Sequence, residues 1–144
     1  MRYIKYIVVH CSDTPKNTTV ESILRFWKIH NKWTAPGYHY IIQQDGEVVK
    51  LLSEDLVSNG VLGFNQNCIN VCYIGGRKKD GTGGDTRTPA QEAALFDKIV
   101  DLTERYPKAI VKGHGEFPNQ GGRTCPNFNV REWLANYKPK IDPI

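Results

Sequence analysis

Short β-rich runs alternate with stretches of helical period along this chain, and that alternation limits the fold more than any other feature. Residues 4–10 (IKYIVVH) form a β-branched run that ends in the polar stretch CSDTPKNTT, which reads as a buried strand entering a loop. Thr18 followed by Glu21 has the spacing of a capping box, and Val20, Ile23, Leu24 and Trp27 then recur at helical spacing to about Asn31. After the breaker Ala35-Pro36-Gly37, the runs YHYIIQQ and EVVKLL flank Asp45-Gly46, a strong hairpin signal. Strand alternation places Tyr38, Tyr40 and Ile42 on one face, with His39 and Ile41 on the other.

Residues 53–67 lack a sustained period and read as a surface loop, whereas CINVCYIGG reads as an interior strand running into glycines. The polar excursion GRKKDGTGGDTR reads as a solvated turn, with contact to a ligand as its second reading. Thr88-Pro89-x-Gln91 opens a second helix, in which Leu95, Ile99, Leu102 and Tyr106 make a buried stripe that Pro107 stops. Residues 109–113 (AIVKG) form another strand. Asn129 with Glu132 caps a last helix, and Phe128 with Trp133 forms a staple. Strands alternating with helices, plus one hairpin, predict an α/β fold with a central mixed sheet flanked by helices.

With 144 residues, 40% hydrophobic and 24% charged, the chain is sized as one domain, residues 1–144, whose core needs no disulfide staples. A net charge of +4 suits an anionic partner such as a cell wall without implying nucleic acid. No apolar run approaches the ~20 residues that span a bilayer, so membrane insertion is not expected. The N-terminus has neither the apolar length nor the cleavage site of a secretory leader, which predicts cytoplasmic synthesis.

His10 and His114 each end a β-like run and enter a loop, so both can project from one sheet edge. Cys125 lies in a third loop, GGRTCP, close to the start of the last helix. Two imidazoles and a thiolate suit zinc and leave a fourth tetrahedral position for water. The plainer reading is two hydrogen-bonding histidines and a packed thiol.

The ordered blocks VVHCS, GYHYII-x-x-DG, CINVCYIGG, TPAQ and GHGEF…RTCPNF are similar to the N-acetylmuramoyl-L-alanine amidase family, over residues 4–137. That family takes in phage enzymes and animal peptidoglycan recognition proteins. The resemblance implies one zinc ion held by His10, His114 and Cys125. It also implies hydrolysis of the amide bond between N-acetylmuramic acid and L-alanine in peptidoglycan, by a monomeric, endolysin-like catalytic domain without a separate wall-binding domain. Tyr38 matches the tyrosine beside the metal, and Arg123 stands where phage enzymes carry a catalytic lysine. An arginine keeps the electrostatic role but cannot shuttle a proton. Many relatives have a histidine where Asn59 stands, so Asn59 reads either as a turn residue or as a change in the substrate groove.

Other candidates have plainer expected roles. His39 reads as a core or supporting residue rather than a catalytic one, and His30 as a surface residue near a helix end. Glu116 either ties down the His114 loop or reaches metal-bound water, with the loop role favoured. Cys68 and Cys72 are too far apart along a strand to bond and read as packed thiols. Cys11 points to the opposite face from His10. Two other functions stay open: a non-catalytic peptidoglycan-binding module, which characteristically lacks the cysteine, and a thiol peptidase using Cys125 or Cys11 with a histidine such as His114.

Overall fold

A computed structural model describes residues 2–139, so the expected domain's first residue and last five lie outside the described residues. The chain runs β1 (Tyr6–Cys11), β2 (Thr14–Pro15), α1 (Val20–Ile29), β3 (Tyr40–Ile42), β4 (Val48–Lys50), β5 (Cys68–Tyr73), β6 (Gly76–Arg77), α2 (Pro89–Arg105), β7 (Ile110–Gly113) and α3 (Val130–Asn136). Five strands form one sheet in the order β4-β3-β5-β1-β7. Strands β3, β5, β1 and β7 are parallel and β4 is an antiparallel edge, which gives the expected mixed sheet. A second, two-stranded sheet pairs β2 with β6, a contact the sequence did not signal.

Side-chain alternation divides β1 and β5 between two layers. Ile7, Val9 and Cys11, with Ile69, Val71 and Tyr73, face α2 and α3 in a core that also holds Leu95, Ile99, Leu102 and Val130. On the other face Ile41, Cys72 and Ile74 pack against Val20, Ile23 and Trp27 of α1. Val8 and Cys68 pack there too, under Val61 and Phe117. Burial of apolar surface on both faces, worth ~25 cal/mol for each Å², holds so short a set of strands together.

The helix starts follow the capping chemistry. Thr88 and Gln91 form a complete capping box on α2, and Asn129 accepts from the Glu132 N–H on α3. Helix α1 is capped by Thr19 rather than Thr18, because the Thr19 hydroxyl is the one within reach of the Ser22 N–H. The hairpin loop is also longer than Asp45-Gly46 alone: Gln43 N–H donates to Glu47 O, with Gly46 at φ +88° inside the turn. Regular pairing of β3 starts at Tyr40. Tyr38 therefore leaves the face of Tyr40 and Ile42 and packs with the α1 cluster instead.

A single ion cluster fastens the irregular residues 53–67 to α2. Glu54 accepts from Arg105 at 2.5 and 2.8 Å, from Tyr106 at 2.7 Å and from Tyr40. Arg2 completes the anchoring by donating to the carbonyls of Glu54, Leu56, Asn65 and Cys68. Among the described residues no helix is long and apolar enough to cross a membrane.

Candidate metal centre

The carboxyl ends of β1 and β7 adjoin, and in open α/β sheets such ends are where ligands bind. His10 is the last residue but one of β1, paired with Cys72 across the sheet, so its ring leaves the strand itself rather than the following loop. His114 opens a 3₁₀ turn directly after β7. Their ring centroids are 4.8 Å apart. Cys125 arrives from the loop before α3, with its Sγ 4.0 Å from His10 Nδ1. One donor atom from each of the three lies within 4.8 Å of the others.

Neighbouring amides settle which ring nitrogens face this cluster. His10 Nε2 is 2.8 Å from Asn70 Oδ1, and His114 Nε2 is 2.9 Å from Gln120 Oε1. The Gln120 amide nitrogen donates to Leu62 O and Pro118 O, which leaves its oxygen for His114. An amide oxygen only accepts, so each Nε2 carries hydrogen and each Nδ1 keeps its lone pair. Two Nδ1 atoms and one sulfur are a donor set fitted to a tetrahedral divalent ion, whose N and S ligands stand about 3.3–3.6 Å apart. Only a small contraction is needed.

The electrostatics favour neutral imidazoles. Burial, followed by the charges of His114 and Arg123, pushes His10 down to about 3, and burial also lowers His114. The neighbouring Cys11 thiol and then burial raise the Cys125 thiol well above its usual range, outweighing the Cys11 backbone N–H, which lowers it. An isolated Cys125 is therefore a protonated thiol beside an imidazole that resists protonation, which opposes a thiolate–imidazolium nucleophile. A bound cation reverses that balance, since a coordinated thiol loses its proton.

His114 and Cys125 line a cavity of about 840 Å³ together with Phe26, Trp33, Arg77 and Asn127, and His10 is buried beside them. Tyr38 lies over the centre, its ring 4.9 Å from that of His10, and its hydroxyl donates to Cys11 O at 3.4 Å. Burial raises the phenol well above its usual range, so it stays a donor. Arg123 is exposed on the rim.

The N-acetylmuramoyl-L-alanine amidase family model matches residues 1–128. The chain belongs to that family. It shares 34% identity over 127 residues with the endolysin of Enterobacteria phage K11, covering 88% of this chain and 82% of that one. The endolysin of Escherichia phage T7 is 34% identical over 128 residues, covering 88% and 83%. Among solved structures, the endolysin of the Thermus scotoductus bacteriophage Ph2119 superposes with a TM-score of 0.79 at 27% identity, covering 94% of this chain and 84% of that chain.

The remaining expected residues of this amidase take supporting positions. His39 is fully buried away from the cavity. Asn59 borders the cavity, but its side-chain amide donates to Ala35 O at 2.9 Å. Glu116 accepts from the Gly113 N–H at 2.6 Å and pairs with Arg131, which ties down the His114 turn. Cys11 faces the opposite core, as expected, yet its backbone N–H donates to Cys125 Sγ at 3.1 Å. Cys68 and Cys72 are buried, unpaired thiols, and His30 caps the end of α1 in a stack on Phe26. Sequence reasoning missed Asn70 and Gln120. Asn70 did leave a signal, a lone amide inside the apolar run CINVCYI.

Proposed function

We propose that the chain is a zinc-dependent N-acetylmuramoyl-L-alanine amidase with His10, His114 and Cys125 as its metal ligands. The observation that carries this reading is the meeting of their three donor atoms beside a cavity that His114 and Cys125 line. Zinc bound there would supply Lewis acidity and a water acidic enough to attack an amide at neutral pH. The substrate is peptidoglycan, cut between N-acetylmuramic acid and L-alanine, as the family description and the endolysin relatives indicate. We read the chain as a monomeric catalytic domain that acts on the cell wall.

The chain's own residues divide the remaining work. Asn70 and Gln120 hold the two imidazoles with Nδ1 inward. The Cys11 N–H steadies the Cys125 sulfur. Tyr38 donates its hydroxyl to the oxygen that becomes negative in the tetrahedral intermediate, a role in which one donor is worth about 3 kcal/mol. Arg123 adds a fixed positive charge to the same region. It does not move protons, because a guanidinium keeps its proton throughout.

Digestion of defined muropeptides, followed by mass spectrometry of the new termini, tests the reaction. The expected products are intact glycan and peptides with a free L-alanine amino group, formed with zinc and abolished by chelator. Uncut muropeptides in the presence of zinc would overturn the reading, and cleavage that survives chelation but stops with iodoacetamide would restore the thiol mechanism.

A further inference from the structure

The His10 ring is held by an amide, and an amide has two ends. Turned the other way, Asn70 would offer its Nδ2 hydrogens to His10 Nε2, place the ring proton on Nδ1, and block the nitrogen that faces Cys125. Something must fix which end of Asn70 points at His10.

Two groups with no choice of role, and a hydroxyl whose role they decide, do so. Leu56 O can only accept, and at 2.8 Å it is far closer to His39 Nε2 than the Arg2 guanidinium at 3.5 Å, so Nε2 carries hydrogen. The Asn70 backbone N–H can only donate, and it reaches His39 Nδ1 at 3.0 Å, which therefore accepts. The Ser58 hydroxyl, 3.2 Å from the same Nδ1, must then be the donor to it, so its oxygen is left to accept. Asn70 Nδ2 fills that role at 2.7 Å, which leaves Oδ1 for His10 Nε2. His39, Ser58 and Asn70 are all fully buried, so water does not compete for these bonds. Gly60 makes the room: a Cβ there would fall 2.3 Å from Asn70 Cγ.

We propose that His39, Ser58 and Asn70 are positioning residues that together set the tautomer of His10 and so present its Nδ1 to the metal. This rests on the zinc reading above only for its consequence, because the tautomer is a property of the metal-free chain. Ser58, from the irregular residues 53–67, thereby helps to shape a ligand on β1 through Asn70.

The test has two readouts. Two-bond ¹H–¹⁵N correlation spectra of the metal-free protein report which His10 nitrogen is protonated, and competition with a chromophoric chelator reports zinc affinity. Wild type should show His10 protonated at Nε2. Asn70→Leu, which removes the acceptor, should move the proton toward Nδ1 and weaken zinc binding about 10–100-fold, the usual cost of losing a ligand's hydrogen-bond partner. Ser58→Ala should do the same in smaller degree, and it carries the test if Asn70→Leu does not fold. Asn70→Asp keeps an acceptor and should restore both tautomer and affinity. Wild-type tautomer and affinity in both Ser58→Ala and Asn70→Leu would overturn the proposal. A chain that shows these tautomer differences but never binds zinc would support the relay and refute the metal reading.

Discussion

The backbone N–H of Cys11 donates to the sulfur of Cys125 across 3.1 Å, joining the end of β1 to a loop 114 residues further along the chain. A bond from a strand amide holds that sulfur beside His10 before any ion arrives. Cys125→Ala removes the only sulfur in the donor group while leaving the two imidazoles and their amide partners in place. The purified variant should fold, retain far less than one zinc per chain, and lose cleavage. Elemental analysis beside circular dichroism checks this, and full zinc occupancy in the variant would remove Cys125 from the ligand set.

Tyr38 separates into a ring and a hydroxyl. The ring packs edge-on against Trp27 at 5.3 Å and beside His10, and Tyr38→Phe keeps those contacts. Loss of the hydroxyl alone should lower kcat by roughly 100-fold with zinc content unchanged, the scale of one oxyanion donor. An unaltered kcat would show that the phenol only fills space.

Arg123 contributes charge from an exposed position, where solvent and salt screen it. Arg123→Ala should lower turnover by roughly 10-fold, less than a buried oxyanion donor, without changing zinc content. The deficit should shrink at high ionic strength, since the wild-type advantage is screened there. A rate equal to wild type at low salt would exclude Arg123 from the mechanism.

Glu54 is a stability device outside the cavity. Burial alone would raise its carboxyl, but hydrogen bonds from Arg105, Tyr106 and Tyr40 outweigh that and bring it to about 2 in the folded chain, against an ordinary value of 4.5. The folded value is the lower one, so ionised Glu54 stabilises fully above the ordinary value, and this contribution fades as pH falls toward 2. Glu54→Gln should cost about 1–3 kcal/mol at pH 7, as expected for hydrogen bonds to a charged group. Urea unfolding at pH 7 and at pH 2.5 checks both the size and the sign. A deficit that grows on acidification would contradict it.

Most of the architecture was legible because each element carries its own period and punctuation. Leu95, Ile99 and Leu102 announced the buried stripe of α2, and Thr88 with Gln91 marked its start. Discrepancies arose where tertiary contact overrides local pattern. Tyr38 lies before regular pairing begins, so strand alternation did not apply to it. The pairing of Thr14-Pro15 with Gly76-Arg77 joins segments too short to show any period. The grouping of His10, His114 and Cys125 was readable because their chemistry is rare and their blocks resemble a family. Gln120 was not, since only the fold of the loop after His114 brings it to that ring. Asn70 was readable in principle: an amide inside a buried strand needs partners, and those partners are Ser58 and His10.

Anomalous X-ray scattering at the zinc edge, from crystals grown with the metal, tests the central claim most directly. One strong peak is expected about 2.0–2.1 Å from Nδ1 of His10 and of His114 and about 2.3 Å from Cys125 Sγ. No peak at that position, or a peak coordinated without Cys125 or through either Nε2, would contradict the account.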